Sequence, residues 1–79
     1  NVPMTNKEFE LLLYLAKRMG KICTRDAILS QIWGYEYLGG TRTVDVHIRS
    51  LRKKLFDEAS LYKITTMISV GYKLEKNTD

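Results

Sequence analysis

The segment RTVDVHIRSLRKKL, residues 42–55, constrains this chain more than any other, because it is strongly basic and regularly apolar at once. At 100° per residue, Val44, Ile48, Leu51 and Leu55 fall within one narrow arc, and Val46, Arg49 and Lys53 fall on the opposite side. Ser50 belongs to that second face as well, with Thr43 and Lys54 toward its edge. The spacing predicts a helix from about Thr43 to Phe56, held to a protein core by its aliphatic stripe and presenting its cations to a polyanion.

The placement of charge agrees. The chain of 79 residues has a formal net charge of +4. Arg42, Arg49, Arg52, Lys53 and Lys54 against Asp45 account for all of it, so the remainder is neutral. A positive stripe on a neutral body points to nucleic acid first and a membrane surface second. A hydrophobic fraction of 44% and a charged fraction of 28% belong to an ordinary soluble domain rather than a disordered segment. No apolar run approaches the ~20 residues that cross a bilayer, and the first residues lack the pattern of a signal peptide. With one cysteine, no internal disulfide is available, and a cytoplasmic setting is expected.

The same counts exclude much chemistry. One Cys and one His do not make a four-ligand zinc site, so neither metal nor cofactor is expected. A catalytic Cys23–His47 pair is the enzymatic alternative, but Cys23 lies among apolar residues, where a small buried thiol is the simpler reading. The YEYLGGT loop lacks the Lys and hydroxyl set of a phosphate-cradling loop. No set of convergent carboxylates or nucleophile with base is found, and the chain reads as non-enzymatic.

Two further helices precede the basic one. MTNKEFELLLYLAKRMG carries Thr5 as a cap with Glu8 in a capping box, and Met4 with Phe9 as a hydrophobic staple. Phe9, Leu12, Leu13 and Ala16 are read as its buried face and Gly20 as its end. TRDAILSQIWG repeats the plan, with Thr24 as cap, Cys23 and Ile28 as staple, a stripe of Ile28, Leu29, Ile32 and Trp33, and Gly34 as stop. KITTMISVGYKLEK, broken near Ser69 and Gly71, predicts a β-hairpin that packs on the helices and pairs with the extended KIC. The expected architecture is one α+β domain over residues 1–79, a winged helix-turn-helix with three helices followed by a C-terminal hairpin wing.

TNKEFELLLYLA, TRDAILSQIWG, RTVDVHIRSLRKKL and ITTMISVGYKL together resemble the DNA-binding effector domain of OmpR/PhoB-type response regulators, in order and over nearly the whole chain. RTVDVHI followed by L-R-x-K-L is the most specific piece. The resemblance implies a two-component transcription factor in which a phosphorylatable receiver domain governs pairing of effector domains on tandem repeats of double-stranded DNA. It also implies a small N-terminal antiparallel sheet, and this sequence begins about where that sheet ends, at Val2; the expected fold therefore lacks the family's N-terminal sheet.

Carried over by position, Thr43, Val46, His47, Arg49, Ser50, Arg52 and Lys53 match places where family members touch DNA. Arg49 and Lys53 suit phosphates, Thr43 suits a phosphate at the helix start, and Val46 suits a thymine methyl. Ser50 stands where some relatives place a base-reading Arg, so discrimination there is expected to be relaxed. Arg52 has a competing ion pair with Asp45, and His47 a competing place at the core boundary. Relatives often read T-V-R-G-x-G-Y at the wing, whereas Ile68 and Ser69 occupy the Arg and Gly positions here. The wing has lost that charge, leaving Lys73 as its candidate phosphate contact. The loop over residues 34–41, with Tyr35, Glu36 and Tyr37, is a candidate RNA polymerase surface. Two rival readings are a winged helix that docks an acidic protein and an RNA-binding module, the latter disfavoured by the lack of an exposed aromatic ladder.

Overall fold

The structure, a computed structural model, describes residues 2–78. Helix α1 spans Asn6–Lys17 and starts at the predicted capping box: Thr5 Oγ1 accepts from the Glu8 N–H at 3.1 Å, and Glu8 Oε1 accepts from the Thr5 N–H at 2.9 Å. It ends at Arg18, earlier than Gly20. Gly20 instead adopts φ +79° in the connection, and its N–H donates to the Leu74 carbonyl at 2.8 Å. Strand β1 (Cys23–Thr24) leads into helix α2 (Arg25–Ile32), capped by Thr24 Oγ1 on the Ala27 N–H. Gly34, at φ +94°, donates its N–H to the Leu29 and Ser30 carbonyls and closes α2 as predicted.

Helix α3 covers Arg42–Leu55, one residue earlier than expected at each end. Strands β2 (Tyr62–Met67) and β3 (Gly71–Lys76) form the hairpin, and β1 pairs with β3 in an antiparallel sheet of order β1-β3-β2. The pairing of KIC with the hairpin is therefore present, with Cys23 opposite Tyr72 and Thr24 opposite Gly71. A Cβ on Gly71 would stand 2.0 Å from the Cys23 carbonyl oxygen, so this close approach requires glycine.

The core gathers Leu11 and Leu15 of α1, Ile28 and Ile32 of α2, Val44, Ile48 and Leu51 of α3, and Ile64, Tyr72 and Leu74 of the hairpin. The α3 stripe is the one predicted, with Leu55 packed at its margin. For α1 the expected face is corrected. Phe9 is 58% exposed, Leu13 is 42% exposed and Ala16 lies outside, while Glu8, Leu11 and Leu15 face inward. The predicted stripe was phased about a third of a turn away from the real one. Leu11 to Leu15 is a continuous apolar run, so periodicity does not select a face, and Glu8 settles it through distant partners. With Phe9 exposed, the Met4–Phe9 staple does not contribute a buried pair, although Met4 itself packs on the core.

At the hairpin turn Ser69 holds φ +65°, in the left-handed region where a Cβ costs about 1 kcal/mol or more. This is the position where the family resemblance implies glycine. Ser69→Gly should raise the thermal midpoint by about 2–5 °C, since relief of strain exceeds the added freedom of the unfolded chain. Differential scanning calorimetry measures this directly, and a lowered midpoint would contradict it.

Candidate nucleic-acid interface

The outer face of α3 is assembled as its periodicity requires. With Val44, Ile48 and Leu51 locked in the core, Val46, Arg49 and Lys53 are forced outward, and all three are exposed, Val46 by 58%. Arg49 and Lys53 enter no salt bridge or side-chain hydrogen bond among the described residues. An apolar side chain flanked by two unengaged cations is the centre of the surface.

The start of α3 sits at one end of this face. Thr41, the N-cap, makes no side-chain cap hydrogen bond, so the first-turn N–H groups have no side-chain acceptor there. Thr43, half-buried in that turn, brings its hydroxyl to 3.5 Å from His47 Nδ1. His47 Nδ1 donates to the Thr43 carbonyl at 2.7 Å, and its ring stands edge-on to Trp33 with centroids 5.0 Å apart. Boundary packing thus describes His47; with Nδ1–H engaged, its Nε2 donates to a phosphate only in the imidazolium form.

Two of the residues carried into the site by position have partners within the fold. The Ser50 hydroxyl donates to Glu8 Oε2, which turns it toward α1 and away from the outer face. Arg52 donates from Nε and Nη2 to the Ile64 carbonyl at 3.1 and 2.6 Å, and from Nη2 to Thr66 Oγ1 at 2.8 Å. It is a strut between α3 and β2, and it does not make the alternative pair with Asp45, which Arg25 holds. Both residues lie on the flanks of α3, where tertiary partners outweigh helical position.

Glu8 is the acceptor of a small buried network that also includes Lys54, whose ammonium donates to Oε1 at 2.7 Å. Glu8 is only 4% exposed. Hydrogen bonds from Lys54, Ser50 and the Thr5 N–H outweigh desolvation and lower its pKa from 4.5 to about 2. Lys54 is therefore spent inside the fold, and the charge of the outer face rests on Arg49 and Lys53, with the exposed Arg42 at the start of the helix.

Asp45 joins three elements. It accepts from Arg25 Nε of α2 at 2.8 Å and from the Tyr72 hydroxyl of β3 at 2.5 Å. Burial raises its carboxyl, but Tyr72 and Arg25 more than offset this and hold it below the ordinary aspartate range. Burial and the Asp45 carboxylate together push the Tyr72 phenol up, keeping it a donor. Sequence reading missed Arg25; its partner lies 20 residues away, beyond any local pattern.

At the wing, Ile68 is 85% exposed. Lys73 is ion-paired with Glu75 at 3.3 Å, so its charge is already opposed. In the 34–41 loop Tyr35 and Leu38 are 89% and 97% exposed, Glu36 is exposed, and Tyr37 leans on Trp33 with ring centroids 6.2 Å apart. Cys23 is buried, its thiol pushed up by desolvation and directed to the Lys21 carbonyl at 3.7 Å, and no hydrogen bond links it to His47. Among the described residues no His, Cys, Asp and Glu cluster is placed to hold a metal, and no helix is long and apolar enough to cross a membrane.

The comparisons with known proteins agree with this architecture. A family model described as "Transcriptional regulatory protein, C terminal" matches residues 1–74. The structure is similar to the DNA-binding domain of Bacillus subtilis CssR, at 36% identity and a TM-score of 0.82, covering 92% of this chain and 78% of that one. It is similar to the Klebsiella pneumoniae RstA DNA-binding domain solved in complex with the RstA box, at 39% identity and a TM-score of 0.79, covering 95% and 75%. It also matches the Thermotoga maritima response regulator DrrB, an OmpR/PhoB homolog, at 37% identity and a TM-score of 0.80, covering 94% of this chain but 34% of that one. By sequence, topology and helix geometry, the chain belongs to the family of transcriptional regulatory protein C-terminal domains, with the winged helix fold of OmpR/PhoB-type response regulators.

Proposed function

We propose that residues 1–79 act as one sequence-specific, double-stranded DNA-binding unit that regulates transcription, with α3 entering the major groove. The observation that carries this is the outer face of α3, where Val46, Arg49 and Lys53 are exposed and uncommitted while the opposite face is fixed in the core. A rigid helix with free cations and one apolar reader fits a groove lined by phosphates and thymine methyls. The family and its DNA-bound relative RstA support the same reading.

In this reading Arg49 and Lys53 neutralise phosphates, and the uncapped first turn of α3 with Thr43 receives another. Val46 supplies direct readout. Lys73 contributes only by exchanging Glu75 for a phosphate, and His47 only as imidazolium. The domain has no catalysis of its own and works in the cytoplasm under a receiver domain of the full-length regulator, on tandem sites. Tyr35, Glu36 and Tyr37 offer an exposed surface to RNA polymerase.

Selection of random duplexes against the purified domain tests the function. Enrichment of a repeated motif is expected; recovery of no duplex above background would refute it and favour the acidic-protein reading. Val46→Ala should blunt discrimination at one base pair by roughly 1 kcal/mol or less, leaving random-sequence binding unchanged. Competition between duplexes that differ at single positions measures this, and a uniform loss would contradict the role.

A further inference from the structure

We propose that Arg25 is a pre-oriented phosphate clamp at the rim of the α3 face, and that Asp45 and Tyr72 are the residues that position it. The inference rests on the DNA-binding reading above and adds a contact outside α3. Three observations carry it. The guanidinium is held on one edge by Asp45, which accepts from Nε at 2.8 Å. Its central carbon lies 5.2 Å from the centroid of the Tyr72 ring, and the Tyr72 hydroxyl donates to the same Asp45 oxygen. Beyond Asp45 the only other side chain that engages the guanidinium among the described residues is the nearby Tyr72 hydroxyl, and no buried side-chain nitrogen or oxygen there lacks a partner. The Arg25 side chain keeps 25% of its surface exposed, so its terminal edge reaches solvent.

The location is set by α3. Asp45 lies one residue from Val46 and one helical turn before Arg49, on the border of the exposed face, so it brings Arg25 to that border. Arg42 also stands close enough to stabilise the Asp45 carboxylate, and the Arg25 backbone N–H reaches the Val70 carbonyl at 3.4 Å beside the wing turn. Recognition helix, α2 and wing thus converge on one guanidinium with its free edge outward. Arginine presents a planar fork that matches two phosphate oxygens, and fixing its plane beforehand removes part of the ordering cost of a phosphodiester contact. The carboxylate partner does not consume the clamp, because it occupies Nε and leaves the terminal edge of the guanidinium.

The test uses a duplex recovered by selection against the wild-type domain, with single backbone phosphates replaced in turn by neutral methylphosphonates. Wild type should lose affinity at one flanking phosphate by the same factor that Arg25→Ala loses on the unmodified duplex. Arg25→Ala should lose nothing more at that phosphate, and its slope of log affinity against log salt should be shallower by about 0.9. Asp45→Asn and Tyr72→Phe should weaken binding while keeping that slope, as expected of positioning residues. Additive losses at every phosphate with an unchanged slope in folded Arg25→Ala would overturn the proposal. If Arg25→Ala does not fold, Arg25→Lys carries the test: a reduced coupling to that one phosphate supports the clamp, and undiminished coupling everywhere overturns it. Failure of the wild-type domain to bind any duplex would instead sink the parent reading and this inference with it.

Discussion

Glu8→Ala should lower the unfolding free energy by about 3 kcal/mol, the largest single-residue effect expected outside the aliphatic core. The carboxylate is 4% exposed and accepts from Lys54, Ser50 and the Thr5 N–H. Its removal strands the Lys54 ammonium against α1, unties α3 from α1 and opens the capping box. Glu8→Gln should cost less, because an amide oxygen still accepts from the helix cap. Replacing the pair together, as Glu8→Leu with Lys54→Met, should recover most of the loss, since no charge is left without its partner. Urea unfolding of the three variants measures the series, and a double variant no better than Glu8→Ala would contradict the pairing.

The same network fixes an acid limit. Glu8 has a folded pKa of about 2 against 4.5 for an ordinary glutamate, so the native state favours its ionised form. For a depressed carboxylate the added stability is fully present above the unfolded value and is lost as pH falls through the folded one. Wild-type stability should therefore decline between about pH 5 and pH 2, and the gap between wild type and Glu8→Gln should narrow over that window. A gap independent of pH would show that the fold does not lower the Glu8 pKa.

The second large effect concerns binding. Arg49→Ala with Lys53→Ala should make the dependence of log affinity on log salt shallower by about 1.8, at about 0.9 for each phosphate no longer neutralised. Affinity should fall equally on selected and random duplexes, because phosphate contacts carry no sequence information. Lys17→Ala, which removes an exposed cation from the last turn of α1, serves as the control and should leave the slope unchanged. Fluorescence anisotropy across a salt series supplies the slopes. Parallel lines for wild type and the double variant would remove both cations from the interface.

The parts legible in the sequence are those whose cause is local. The α3 stripe, both threonine caps, the stop at Gly34 and the hairpin each follow from spacing or backbone chemistry within a few residues, and each is present. What escaped is what distant partners decide. The α1 face turns on Glu8, whose partners Ser50 and Lys54 lie 42 and 46 residues away. Ser50 and Arg52 lie on the flanks of α3, and position on the helix does not say whether a flanking side chain turns to a neighbour or to solvent. Arg52 is claimed by the Ile64 carbonyl, and Asp45 by Arg25 and Tyr72 instead of Arg52. The family motif carried Ser50 and Arg52 into the site by position, and neither motif nor spacing showed their partners Glu8 and Ile64.

The division of α3 into a buried aliphatic side and an outward basic side is tested most directly by following backbone amide resonances of the labelled domain while a selected duplex is added. Shifts should concentrate on the turn around Thr43 and on Val46, Arg49 and Lys53, with Arg25 at the margin, and leave Phe9 and Leu13 of α1 unmoved. Perturbations centred on the exposed α1 residues, with the outer face of α3 silent at saturation, would contradict that division.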